Sequence, residues 1–299
     1  MTPVLLVCDE GPGAGLGHRR RCEAIATALR AQGIAAAVVP SGAGVFAAPV
    51  LVVDSYRFRA DDRHRFVPDV LVALDDLERD LDVDLVVIPA PDGLTGYEST
   101  ARRRVLCGAE VALVDPRVAA RGVAPLRPDV ERILVTMGAA DSTGVGASIA
   151  GDLVEARPDL DIRLVVGPWG ARDVPAGVTS VIAPEGLVEE LAAADVVVTA
   201  GGVTLLEALV MGRPTVAVAV ADNQLANVRA LGAAGAAAVA TREHAAAMAL
   251  RLIDDAARRA ALHAAGPVMI DGAGARRVAD AIAARIGADV HRTVASVAA

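Results

Sequence analysis

Short apolar runs recur along the chain, separated by glycine or proline breaks and by stretches with helical spacing. Residues 3–8, 35–40, 50–54, 70–74 and 84–89 read as buried strands, since each is almost continuously apolar and bounded by turn residues. Residues 18–32 place Ile25, Ala28 and Leu29 at helical spacing, and Gly33 ends that helix. Residues 117–131, with Pro125 and Pro128, carry no apolar period and read as a linker. The alternation then resumes, with strands predicted at 132–137, 163–167 and 178–182 and helices at 142–154 and 186–193. A central stretch, 194–227, begins as the strand Val196-Val197-Val198 and breaks at Gly201-Gly202. It continues as a helix over 204–211 and, after Gly212-Arg213-Pro214, enters a second buried run at 215–221. That is one parallel crossover. A strand or buried turn at 236–239, helices at 242–254, 256–265 and 275–286, and a frayed tail from Gly287 complete the pattern.

Strand and helix alternate twice, which predicts an α/β fold of two doubly wound, Rossmann-like parallel sheets facing across a cleft. The expected division is 1–120, 130–287 and a flexible tail at 288–299. The 299 residues are 54% apolar and 22% charged, which excludes a disordered chain. A net charge of -8 and 2% aromatic residues argue against a nucleic-acid partner. The start of the chain lacks a basic segment and a cleavage site, and no apolar stretch is long enough to cross a bilayer. Cys8, Cys22 and Cys107 are odd in number and widely spaced, unlike a zinc cluster or disulfide frame, which suits a reducing cytoplasm. No metal ligand set is complete, no cofactor is called for, and without an exposed aromatic patch the expected state is a monomer.

Candidate chemistry gathers where strands end. A helix entered through Gly201-Gly202 directs unpaired N–H groups and a positive dipole end toward anything above the sheet, which favours phosphate. Glu207, one turn on from Thr204, is placed to accept hydrogen bonds from ribose or sugar hydroxyls, and Asp222, Asn223 and Gln224 follow the next strand. A packing role alone also fits those glycines. In the first half, a loop with Gly11, Gly13, Gly15 and Gly17 delivers His18 to a helix start, with Arg21 three residues on. A nearby cation there would disfavour the imidazolium and keep His18 ready to take a proton. Asp54 and Tyr56 end a strand, where a turn-capping role is equally open for the aspartate. Asp75-Asp76 follow another strand, with a role left open. The charged face at 61–64 gives His64 no role, and His244 and His263 read as solvated.

Two motifs carry a family resemblance. Gly201-Gly202-x-Thr204-x-x-Glu207, then Gly212-x-Pro214, then Asn223-Gln224, is similar to the MurG-like glycosyltransferases of the GT-B superfamily and closer still to the PseG family. Gly15-Leu16-Gly17-His18 followed by Arg21 resembles that family's Gly-x-Gly-His-x-x-Arg motif. PseG members are UDP-2,4-diacetamido-2,4,6-trideoxy-β-L-altropyranose hydrolases of pseudaminic acid biosynthesis, and spore-coat SpsG proteins share the pattern. The resemblance implies a GT-B fold and a UDP-sugar substrate cleaved by water at the anomeric carbon, without a metal, with His18 as general base. Gly15, Gly17, Arg21, Asp54, Tyr56, Asn223 and Gln224 would line the sugar side. Gly138, Gly201, Gly202, Thr204 and Glu207 would hold the nucleotide, the glutamate on its ribose. Two departures stand out: Gly138-Ala139-Ala140-Asp141 replaces a Gly-Gly-x-Asp, and Asp115-Pro116 replaces an Arg-Pro. The terminal Asp271-Gly272-Ala273-Gly274 with Arg277 also matches, with the role of Asp271 open. Two other readings remain: a glycosyltransferase with a glycan, lipid or small-molecule acceptor, and a nucleotide-sugar binding protein without turnover.

Overall fold

A computed structural model of the chain describes residues 4–43, 48–59, 62–63, 68–77, 79–91, 97–100, 103–141, 143–170, 173–183 and 186–297. Asp61 and His64 lie outside these. The chain divides into two compact units, one of residues 1–10, 18–116 and 273–299, the other of residues 11–17 and 117–272.

The first unit is a six-stranded parallel sheet of β1 (Val4–Cys8), β2 (Ala36–Pro40), β3 (Val50–Asp54), β4 (Val70–Leu74), β5 (Leu85–Ile88) and β6 (Arg104–Cys107), in the order β2-β1-β3-β4-β5-β6. Alternation along the strands fills both faces. Val50 and Val52 join a core that contains Ile25 and Leu29 of α1 (Gly17–Ala31), while Leu51 and Val53 join Phe58, Leu81 and Tyr97 on the other face. The chain leaves β1 toward β2 and returns on the far side of β1 as β3. The sheet therefore switches direction between β1 and β3, where ligands of open parallel sheets bind.

The second unit repeats the layout with β7 (Arg132–Thr136), β8 (Asp161–Val165), β9 (Thr179–Val181), β10 (Val196–Ala200), β11 (Thr215–Val218) and β12 (Ala238–Ala240), in the order β12-β11-β10-β7-β8-β9. Its switch point lies between β7 and β10. Thr136 and Thr199 are register partners there, so the turns after them, at Gly138 and at Gly201, leave the sheet at the same level. The helices are α3 (Val145–Ala156), α4 (Val188–Ala193), α5 (Val203–Val210), α6 (Leu225–Ala233), α7 (Ala245–Asp254) and α8 (Ala256–Met269).

Three segments differ from their sequence reading. Residues 117–131 are no loose linker: α2 (Pro116–Arg121) forms there with Val118 buried, and the backbone N–H of Ala124 donates to Met211. The buried Arg213 guanidinium donates to the carbonyls of Pro125 and Ala192, which ties the segment to the second unit. Burial lowers the Arg213 pKa to about 10. The tail expected to fray from Gly287 is helical, since α9 runs as Gly274–Val297. Last, α9 belongs to the first unit rather than to a domain at 130–287, because Ala275, Val278, Ala279 and Ile282 complete the core around Ile25 and Leu29. Gly274 allows this approach, as a Cβ there would stand 2.1 Å from the Ala112 carbonyl oxygen.

Candidate functional site

At the switch point of the first sheet, Cys8 and Asp54 are register partners, so the loop after β1 and the end of β3 start side by side. His18, in the first turn of α1, is buried and its Nδ1 lies 2.6 Å from Asp54 Oδ1. Arg21 Nη2, which only donates, stands 3.0 Å from the same Nδ1, but the carboxylate only accepts and its contact is the shorter, which assigns the proton to Nδ1 and leaves the lone pair on Nε2. No described residue partners Nε2, and it is not among the fully enclosed polar atoms. The Tyr56 ring meets the imidazole edge to face, with centroids 4.5 Å apart.

Arg21, one turn along α1, braces the same carboxylate. Its Nε donates to Asp54 Oδ2 at 2.9 Å and its Nη2 to Asp54 Oδ1 at 2.7 Å. Its Nη1 reaches Asp76 Oδ2 at 3.1 Å, and the Tyr56 hydroxyl donates to the same oxygen at 3.3 Å. Burial opposes the Arg21 cation, but the Asp54 and Asp76 carboxylates outweigh it and raise its pKa. Burial by itself would raise the Asp76 carboxyl; Arg21 overrides that and holds it below the usual carboxylate range. The Arg21 guanidinium thus spans the Asp54 and Asp76 carboxylates, with the His18 imidazole against the first of them.

His18, Arg21, Asp54 and Tyr56 are thus brought together, and Asp76 joins them. Its neighbour Asp75 turns the other way, onto Arg79, the Tyr97 hydroxyl at 2.5 Å and two backbone N–H groups, which makes it a structural residue. Gly15 adopts φ +72 in a loop closed by its own N–H donating to the Gly11 carbonyl, whereas Gly17 opens α1 with a φ outside the left-handed region.

In the second unit the two glycine turns differ. After β7, Gly138 has φ +92 while Ala139 is not in the left-handed region, so the alanine in place of glycine is accommodated without strain. Asp141 accepts from the N–H groups of Val145 and Gly146 and so fills the α3 N-terminus with its own carboxylate. At α5 the N-cap is Gly202, which has no side chain to cap the helix. There Gly201 is enclosed, for a Cβ would stand 2.5 Å from Val228 Cγ2, while Gly202 faces open space. Gln224 Oε1 accepts from Gly201 N and Val220 N, which clamps the turn and commits that oxygen. Asn223 is exposed, Thr204 half-buried, and Glu207, at 1% exposure, is covered.

No known family profile matches the chain, and no curated protein matches it. Solved structures do. The glycotransferase of kitacinnamycin is similar over 95% of this chain and 99% of its own, with TM-score 0.64 and 16% identity. CalG4, the calicheamicin glycosyltransferase, gives 96% and 98% coverage, TM-score 0.59 and 15% identity. MurG of Acinetobacter baumannii gives 94% and 99%, TM-score 0.54 and 14% identity. The fold is GT-B.

In GT-B terms, the His18 cluster lies in the N-terminal unit and the open α5 turn in the C-terminal unit, each at the switch point of its sheet. Among the described residues no three His, Cys, Asp or Glu side chains are grouped to hold a metal, and no helix is long and apolar enough to cross a membrane. Sequence reasoning left the role of Asp76 open. Its signal was the Asp-Asp pair after a strand, which does not say which of the two faces His18.

Proposed function

We propose that the protein is a glycosyltransferase that uses a nucleoside-diphosphate sugar, with His18 as the base that activates an acceptor hydroxyl. The observation that carries this reading is the buried Asp54 carboxylate on His18 Nδ1. The acceptor oxygen attacks the anomeric carbon as its proton passes to His18 Nε2. The bond from that carbon to the diphosphate breaks, and the nucleoside diphosphate leaves with the electron pair. The α5 N-terminus, capped by no side chain of its own N-cap residue and with Gly202 in the open, would receive the diphosphate charge. Asn223 and Thr204 flank that turn, and Gly138 leaves the adjacent strand. Glu207 remains the ribose candidate by its motif, and contact with it requires displacing what covers it. The GT-B likeness to glycosyltransferases supports transfer over hydrolysis, and one of these structures, SsfS6 from Streptomyces sp. SF2575, is complexed with thymidine diphosphate.

The second reading is a hydrolase in which water replaces the acceptor. It is favoured by the Gly15-Leu16-Gly17-His18 and Arg21 pattern, with a UDP-linked amino-deoxy sugar as substrate. The deciding experiment incubates purified protein with UDP-, CMP-, GDP- and dTDP-sugars, with and without sugar or small-alcohol acceptors. Nucleotide release that needs an acceptor and yields a glycoside is the expected result; release of reducing sugar in water alone assigns the hydrolase instead. His18→Ala should lower turnover about a hundredfold to ten-thousandfold and leave nucleotide binding intact.

A further inference from the structure

We propose that Trp169 is the platform on which the donor's nucleobase stacks, an inference that rests on the nucleotide reading of the second unit. The chain has one tryptophan, two tyrosines and three phenylalanines. Phe46, Tyr56, Phe58, Phe66 and Tyr97 all belong to the first unit, so Trp169 is the sole tryptophan, tyrosine or phenylalanine of the second. Apart from the imidazoles of His244 and His263, it is the one aromatic face that the unit offers a base.

Its position fits the task. Trp169 follows β8, the strand beside β7, and so stands at the carboxyl edge of the sheet next to the switch point. The segment Gly167-Pro168-Trp169-Gly170 is a tight turn closed by Gly170 N donating to the Gly167 carbonyl at 3.2 Å. Proline at the second position suits a type I or type II turn, and Trp169 does not have the positive φ that a type II turn needs at its third position. The tryptophan therefore rides on the tip of a type I turn, part-exposed.

That turn is fastened to the loop at the switch point. Trp169 N donates to the Ala139 carbonyl at 3.1 Å. Gly167 packs so closely that a Cβ would lie 2.5 Å from the same oxygen, and a Cβ on Gly170 would touch the Asp141 carbonyl at 3.6 Å. The turn that carries the indole is thus fastened to the loop that leaves β7, the strand beside β10 and its Gly201 turn. An aromatic on a turn pinned at its backbone is suited to a flat π-face, and stacking accepts any base. Discrimination among uracil, thymine and guanine would come from other groups.

Because the chain has a single tryptophan, its emission reports on this residue alone. The test titrates the intact protein with UDP, dTDP and GDP, following tryptophan fluorescence and, in parallel, heat of binding. The same calorimetry is run on Trp169→Phe and Trp169→Ala. The expected result is a saturable change in emission at the calorimetric Kd, near-native affinity for Trp169→Phe, and affinity reduced about five- to a hundredfold for Trp169→Ala. Binding with unchanged emission, or with native affinity in Trp169→Ala, overturns the stacking role and leaves the nucleotide reading standing. A wild-type protein that binds none of the three overturns both. A misfolded Trp169→Ala would leave the emission titration and Trp169→Phe to decide.

Discussion

A carboxylate on Nδ1 determines which nitrogen of His18 can take a proton, and Arg21 determines where that carboxylate sits. Asp54→Asn loses both: an amide cannot accept from Nδ1 and from two guanidinium nitrogens with one oxygen. Turnover in that variant should fall about a hundredfold or more, with nucleotide affinity unchanged, as read by initial rates beside calorimetry. Asp76 gives a prediction in acid. Its pKa in the folded state lies below the ordinary 3.8, so its contribution to stability is complete above that value and is lost as pH falls through the lowered one. Thermal unfolding scans between neutral pH and pH ~3 should show the gap between Asp76→Asn and the parent narrowing toward the acid end; a constant gap between the two curves at every pH would refute it. His18, Arg21, Asp54 and Tyr56 were each legible in the sequence, because strand ends and glycine loops mark where chemistry sits. Their mutual contacts were not legible. Residues on separate strands become neighbours only through sheet order, so which carboxylate meets His18 and which meets Arg21 alone could not be read in advance.

At the scale of an element, the turn into α5 was read correctly as strand, glycines, helix and strand, since the apolar runs and breaks are strong there. The pattern gave Gly201 and Gly202 one role, and the structure gives them two. Gly201 is a packing glycine. Its methyl in Gly201→Ala would meet Val228 Cγ2 at 2.5 Å and Gln224 Cβ at 2.9 Å, which should cost about 1–3 kcal/mol in urea unfolding. Gly202 has φ -96 and open space, so Gly202→Ala should cost at most about 1 kcal/mol as a poorer helix cap. Its methyl would instead project where the diphosphate is proposed to lie, and UDP affinity should drop. The reverse pattern, with Gly202→Ala unstable and Gly201→Ala silent, would refute the distinction. Gln224 shows the limit of motif reading in the same way: its oxygen is spent on Gly201 and Val220, a use that only the fold reveals.

At the scale of the molecule, both parallel sheets could be anticipated from alternation alone, whereas the allegiance of the last helix could not. An amphipathic helix announces that it covers a core without saying which one. Val278 and Ile282 would suit either sheet, and only the structure places them against Ile25 and Leu29 of the first. Fully burying two such side chains contributes about 3–6 kcal/mol, a large share of the roughly 5–15 kcal/mol that keeps a typical domain folded. Ending the chain after Gly272 should therefore unfold the first unit, even though its strands and α1 are all present. Limited proteolysis followed by mass spectrometry should then find rapid cleavage within 18–116 and persistence of 117–272. Gly274→Val tests the same docking without truncation, since a side chain there has no room beside the Ala112 carbonyl. Protection of 18–116 in both variants would mean that α9 is dispensable to the sheet it completes.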